Sequence, residues 1–217
     1  MDSSRIAELL SPFLKHHLSE SQLGDISIYI DILLRWNQKL NLTAVREPEA
    51  IVTRHFGESL FAAQRLVQPN SDWPGRVGDP SPQILDVGSG AGFPGLPVKL
   101  WAPEIHLTLI ESSHKKATFL REVVRALTLT KADVFSGRAE ELRAESADLV
   151  TLRAVERFDS VVPVAARLVA PAGRLALFIG EKQTSGVPGL APGFNWSERL
   201  AIPLSSERIL LVGHRYR

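Results

Sequence analysis

The chain has 217 residues, 44% of them apolar and 23% charged, which is the size and make-up of a folded domain with an appendage rather than a disordered segment. It holds no cysteine, so disulfides, thiolate zinc sites and cysteine nucleophiles are excluded. The formal net charge is +1, spread as −2 over residues 1–84, +1 over 85–136 and +2 over 137–217, which excludes a generic nucleic-acid binder and leaves RNA recognition only to a local patch.

Residues 1–67 read as an N-terminal helical region. Ile6, Leu9, Leu10, Phe13, Leu14 and Leu18 recur at helical spacing, so a helix is expected over 4–18. Ser19 and Gln22 form the sequence of a capping box that opens a second helix, with Ile26, Tyr29, Ile30, Leu33 and Leu34 as its apolar stripe to about Leu40. A third helix begins near Glu47-Pro48 and presents Ile51, His55 or Phe56, Ser59, Leu60 and Ala63. The acidic, helix-patterned start is unlike a signal peptide, and no apolar run approaches the roughly 20 residues of a membrane span. A cytoplasmic protein without a membrane partner is expected.

Residues 68–82 hold four prolines and two glycines and read as a linker. From 83 to 217 the texture is that of an α/β domain. Strands are expected at 83–87, 106–111, 132–135, 147–152 and 174–179, with helical stretches near 95–101, 113–126, 139–144 and 156–169 between them. That alternation implies a parallel sheet. Segments 200–204 and 208–212 have no helix between them and should close a seven-stranded sheet as an antiparallel pair.

The motif with the clearest chemistry is Ile84-Leu85-Asp86-Val87-Gly88-Ser89-Gly90-Ala91-Gly92. An apolar strand ends in an acid, and alternating glycines then let the backbone turn sharply and approach a ligand. The next strand ends in Glu111, placed to accept ribose hydroxyls of a bound nucleoside. Gly90-Ala-Gly92-Phe-Pro-Gly95 also satisfies the dinucleotide pattern, so a nicotinamide-dependent oxidoreductase competes with S-adenosylmethionine as the reading. Asp86 favours S-adenosylmethionine, because a carboxylate would repel a pyrophosphate and suits a ligand bearing a sulfonium and an ammonium. The loop Ser136-Gly-Arg-Ala-Glu140 could serve an adenine, or Glu140 could simply favour a helix start. The six histidines, at 16, 17, 55, 106, 114 and 214, have no metal-ligand spacing, and no metal is expected.

Together these residues resemble the bacterial 16S ribosomal RNA guanine-N7 methyltransferases, also called glucose-inhibited division protein B, over roughly residues 25–180. The pieces are Arg35-Trp36-Asn37, Asn41-Leu42-Thr43, Arg54-His55, the run from Asp86 to Pro97, Phe119-Leu120-Arg121 and Leu152-Arg153-Ala154. The resemblance implies a Rossmann-like class I methyltransferase fold and methyl transfer from S-adenosylmethionine to N7 of one guanosine in the 530-loop region of 16S rRNA; the near-neutral charge points to RNA folded in a small-subunit particle, with free RNA left open, and a monomer is expected. It implies cofactor contacts at Gly88, Gly90, Phe93, Ala139, Glu140 and Arg153, beside Asp86 and Glu111 from the motif, and substrate contacts at Arg54, His55 and Arg138. Two positions depart from the family pattern: Ile179-Gly180 stands where a Lys-Gly pair is common, with Lys182 nearby, and Glu58-Ser59 stands where Asp-Ser is common. Guanine N7 carries a lone pair and no proton, so the transfer needs no general base, and alignment and exclusion of water should do the work. A non-catalytic RNA-binding module on the same fold stays open.

Overall fold

The computed structural model describes residues 1–67, 81–154 and 157–217. The expected linker lies outside these residues except for its last two positions.

Helix α1, Ser3–Leu10, is capped by Asp2, and a tight 3-10 turn, Ser11–Phe13, follows it. The helix expected to reach residue 18 therefore stops early. Pro12 has no N–H to return to the carbonyl of Glu8, which accepts the Ser11 hydroxyl at 2.8 Å instead. Helix α2, Glu20–Asn37, opens on the expected capping box, with Ser19 Oγ accepting from Gln22 N and Gln22 Oε1 from Ser19 N. At its end Asn37 Oδ1 accepts from the N–H groups of Leu42 and Thr43, which fixes the turn into the next helix.

That next helix is α3, Pro48–Ile51, a π-helical turn, Val52–Gly57, and α4, Glu58–Leu66. The wider turn shifts the helical register, and π-turns of this kind often mark functional sites. Phe56, Ser59, Leu60 and Ala63 are buried as the apolar stripe required, and His55 lies beside Phe56 at intermediate exposure.

The sheet has seven strands in the order β3-β2-β1-β4-β5-β7-β6. They are β1 Gln83–Val87, β2 His106–Ile110, β3 Ala132–Phe135, β4 Ala147–Arg153, β5 Val169–Gly180, β6 Phe194–Ala201 and β7 Arg208–Arg215. Strands β1 to β5 pair in parallel, and β7 runs antiparallel to both β5 and β6, so the closing hairpin is as expected. Helices α5 Gly95–Trp101, α6 His114–Ala126 and α7 Phe158–Leu168 make the crossovers. A short helix, α8, Val187–Leu190, precedes β6.

Two further local expectations were wrong. The helix at 139–144 is a 3-10 turn, Ala139–Glu141, because Leu142 is already extended (φ −81°, ψ 154°). The strand at 200–204 lies earlier, at 194–201. Pro203 offers no N–H to a ladder, and Leu204 has φ +59°, a turn conformation.

Two hydrophobic cores cover the two faces of the sheet. One joins the N-terminal helices and α5 and α6 to Ile84, Leu107, Leu109 and Leu149; the other joins α7 to Leu85, Val87, Val150 and Leu152. The N-terminal helices thus build directly onto one face and reach the carboxyl ends of the strands. No helix among the described residues is long and apolar enough to cross a membrane.

Candidate functional site

The glycine loop turns at the end of β1. Gly88, Gly90 and Gly92 all have positive φ, at 69°, 54° and 87°. Each stretch of the loop is tied to a different element. The N–H groups of Gly88 and Ser89 donate to the carbonyl of Ile110, both at 3.0 Å. Glu111 accepts from Gly90 N through Oε2 (3.0 Å) and from Ser113 N through Oε1 (2.7 Å). The Tyr29 hydroxyl of α2 donates to the carbonyl of Ala91, and a Cβ at Gly92 would lie 2.3 Å from that hydroxyl oxygen. Burial pushes the Tyr29 hydroxyl well above its ordinary pKa, and Asp86 adds to this, so it remains a donor.

Asp86 sits beneath this loop and is not among the residues lining the neighbouring cleft. It is 1% exposed; Oδ1 accepts from the Thr151 hydroxyl at 2.7 Å and Oδ2 from Gly95 N at 3.3 Å. Burial lifts its pKa to about 6, against the pull of those hydrogen bonds. Its geometry is that of a brace between β1, β4 and the start of α5. Both oxygens are engaged in the fold, so the repulsion expected between Asp86 and a pyrophosphate loses force.

A cleft of about 250 Å³ opens at the carboxyl ends of β1, β2 and β3. Its lining includes Gly88, Ser112, Arg138, Ala139, Glu140 and Arg157, over an apolar floor of Val87 and Ile110. Arg167 steadies the far wall by donating to the carbonyls of Ala139, Glu140 and Leu142. An apolar floor suits a flat ring, and Glu111, whose oxygens accept from Gly90 N and Ser113 N, stands at the end of β2 where the cleft opens. A nucleoside-bearing cofactor of S-adenosylmethionine type fits these residues.

Phe93 is not in this cleft. It lies between Tyr29 (ring centroids 5.4 Å apart, planes 3° apart) and His55 (4.8 Å, 27°), with Phe56 edge-on at 5.1 Å. This stack joins the cofactor loop to the N-terminal helices. On its far side His55 Nδ1 lies 3.3 Å from Arg153 Nη2 and His55 Nε2 lies 2.8 Å from Thr43 Oγ1. Because a guanidinium only donates, Nδ1 accepts and the ring proton sits on Nε2. Burial, then Arg153 and Arg54, lowers the His55 pKa to about 3, so the ring is neutral near pH 7.

Arg153 ends β4, and its side chain is 10% exposed. It donates to Glu58 (2.9 Å), the carbonyl of Arg54 (2.6 Å) and, at longer range, the carbonyl of His55 and the Ser59 hydroxyl. Glu58 is 2% exposed and reaches Arg208 of β7 with its other oxygen at 2.6 Å. Burial raises the Glu58 pKa while Arg153 and Arg208 oppose the rise.

The residues expected from the sequence thus fall into three places. Gly88, Arg138, Ala139 and Glu140 line the cleft; Gly90, Glu111 and Asp86 shape the loop; Phe93, Arg54, His55 and Arg153 belong to the neighbouring cluster. Tyr29 was read only as part of the apolar stripe of α2 and Thr43 only as part of the family piece Asn41-Leu42-Thr43, and the sequence reading did not single out Arg157 in the cleft or Arg208 beside it. Their only sequence signal was position: Arg157 lies at the start of a helix after a strand, and Arg208 at the start of the last strand.

The family model described as rRNA small subunit methyltransferase G matches residues 22–190, spanning the helices, the loop and the cleft. The chain belongs to the rRNA small subunit methyltransferase G family. It is 38% identical over 188 residues to a Ribosomal RNA small subunit methyltransferase G of Xanthomonas oryzae pv. oryzae, an alignment covering 85% of this chain and 82% of that one. Among solved structures, a predicted O-methyltransferase from Agrobacterium tumefaciens is similar in fold at 18% identity, with a TM-score of 0.59 over 73% of this chain and 80% of that one. A SAM-dependent methyltransferase from Aquifex aeolicus is similar at 16% identity, with a TM-score of 0.51 over 62% and 82%. The strand order and the family agree on a class I methyltransferase fold.

Proposed function

We propose that this chain is an S-adenosylmethionine-dependent methyltransferase that modifies N7 of a guanosine in the 530-loop region of 16S rRNA. The observation that carries the reading is the family's own loop, built here into a closed geometry with Gly88 at the cleft and Glu111 bonded to Gly90. The relatives' name supplies the RNA, and the base and atom come from the sequence resemblance. The reading extends to a small-subunit particle as substrate, to a cytoplasmic monomer, and to transfer without a metal.

When bound, S-adenosylmethionine supplies the electrophilic methyl group. The chain's own residues bind and orient. Gly88 lets the backbone come close, Ala139 and Glu140 flank the far end of the cleft, and Asp86 holds the loop from below. No side chain is required to take a proton, since N7 has none, and His55 with its pKa near 3 is neutral and poised for no proton transfer at pH 7. Arg54 and Arg208, beside the buried Arg153, form the local basic patch that a near-neutral protein needs to meet RNA.

The test is transfer of labelled methyl to unmethylated small-subunit particles, with the modified base mapped afterwards. The reading requires one guanosine labelled at N7. Label on another atom or in another RNA, or none at all, would overturn it. Tight binding of a nicotinamide dinucleotide in place of S-adenosylmethionine would favour the oxidoreductase.

A further inference from the structure

Above the carboxyl ends of β4 and β5 and the amino end of β7, three guanidinium groups surround one carboxylate. Arg54 and Glu58 come from the π-turn and the helix after it, Arg153 from β4 and Arg208 from β7. Strands β4 and β7 are not neighbours; β5 lies between them, which sets their backbones about 10 Å apart. Glu58 spans that gap by giving one oxygen to each arginine.

The two arginines are not equivalent. The terminal amino groups of Arg153 face Glu58, Ser59, the carbonyls of Arg54 and His55, and His55 Nδ1, so its donors are spent inside the protein. Among the described residues Arg208 makes one ion pair, through Nη2, and its buried Nε has no acceptor. Its side chain is 33% exposed at the strand ends where such sheets bind ligands. Arg54 is exposed, and its guanidinium makes no ion pair among the described residues. Spare donors on two guanidinium groups, beside a neutral histidine, call for an anion with several acceptor oxygens. A phosphodiester provides them. The guanine itself is a poor alternative, because a guanidinium grips it through O6 and N7 and would cover the reacting atom.

We propose that Arg208, with Arg54, grips the phosphodiester backbone of the RNA strand at the site, and that Glu58 and Arg153 are positioning residues that hold Arg208 there. This rests on the reading of the chain as an rRNA methyltransferase. It assigns Arg153 a strut's role instead of the cofactor contact implied by resemblance.

The experiment measures kcat and KM on unmethylated small-subunit particles, particle affinity across a salt series, and S-adenosylmethionine affinity by calorimetry. Arg208→Ala should raise KM for particles about tenfold and lower the salt slope by about 1, with kcat and cofactor affinity retained. Arg54→Ala, on an exposed side chain whose loss leaves folding intact, should act in the same direction. Arg208→Lys should recover part of the salt slope, since it keeps the charge. Glu58→Gln should also raise KM, because an amide offers one acceptor oxygen and turns a donor toward the second guanidinium. Unchanged KM and salt slope in both Arg208→Ala and Arg54→Ala would overturn the proposal, as would loss of cofactor affinity in Arg208→Ala. If the wild-type protein transfers no methyl to particles, the functional reading itself has failed, a result visible before any variant is made.

Discussion

Gly92 and Tyr29 should be energetically coupled, and a double-mutant cycle can measure it. An alanine Cβ at residue 92 would lie 2.3 Å from Tyr29 Oη, 2.5 Å from Leu96 Cδ1 and 3.2 Å from Leu120 Cδ2. The backbone there has φ +87°, where an L side chain costs roughly 1–2 kcal/mol. Forcing the methyl into the packed site adds about 1–3 kcal/mol. Gly92→Ala should therefore destabilise by roughly 2–5 kcal/mol. Tyr29→Phe keeps the ring stack on Phe93 and leaves the Ala91 carbonyl without its donor, for about 1–3 kcal/mol. In the Tyr29→Phe background the nearest obstacle to the Gly92 methyl is gone and the Leu96 contact remains. The double variant should accordingly be more stable than the sum of the two by about 1 kcal/mol or more. Urea denaturation of all four proteins gives the cycle, and calorimetry gives S-adenosylmethionine affinity, which should fall in each single variant as the loop loosens. Additivity within about 0.5 kcal/mol would refute the claim that α2 clamps the loop through this contact.

Glu111→Ala should cost roughly 1.5–3 kcal/mol of cofactor affinity, because the N–H groups of Gly90 and Ser113 lose their shared acceptor and the ribose loses a partner; affinity within error of wild type in calorimetry would place the ribose elsewhere. Arg153→Ala should destabilise the fold by about 3–5 kcal/mol, toward the low end since Glu58 keeps Arg208, and a denaturation midpoint equal to wild type would contradict the buried role. His55 has a pKa of about 3 in the fold against 6.5 unfolded, so between these values the unfolded chain takes up the proton first. Its contribution to stability is complete above about pH 6.5 and is lost as pH falls toward 3. His55→Gln should therefore flatten the loss of stability between pH 7 and about pH 4.5 in urea titrations, and an unchanged pH dependence would mean that His55 is not held neutral. Asp86 titrates in the opposite sense in both proteins, so it drops out of that comparison.

The fold was legible mainly where its cause was local. Strand-helix alternation, the Ser19 capping box and the glycine loop each rest on residues a few positions apart. The 3-10 turn at Ala139–Glu141 was not, since it depends on which carbonyls find donors, and the early end of α1 has a local cause, Pro12, that the helical spacing of the apolar residues masked. The Glu58–Arg153–Arg208 cluster was beyond the sequence for a different reason. Its closest pairing joins residues 95 apart, and only the docking of the N-terminal helices on the sheet creates it.

Asp86 and Arg153 both lie on the side of the N-terminal helices for one common reason. Side chains alternate across a strand. On β1, Leu85 and Val87 join the core beneath α7, and Val87 floors the cleft; Ile84 joins the core of the N-terminal helices, so Asp86 faces that way too. On β4, Val150 and Leu152 share the α7 side, which sends Thr151 and Arg153 to the helical side. Position at a strand end therefore signals nearness to the cleft, and side-chain parity decides which side of the sheet the residue faces. Residues of one parity build the cleft, and those of the other brace the loop and carry the basic cluster. The cleft and the basic cluster therefore open at the same row of strand ends, which is the arrangement that the proposed cofactor and RNA sites require.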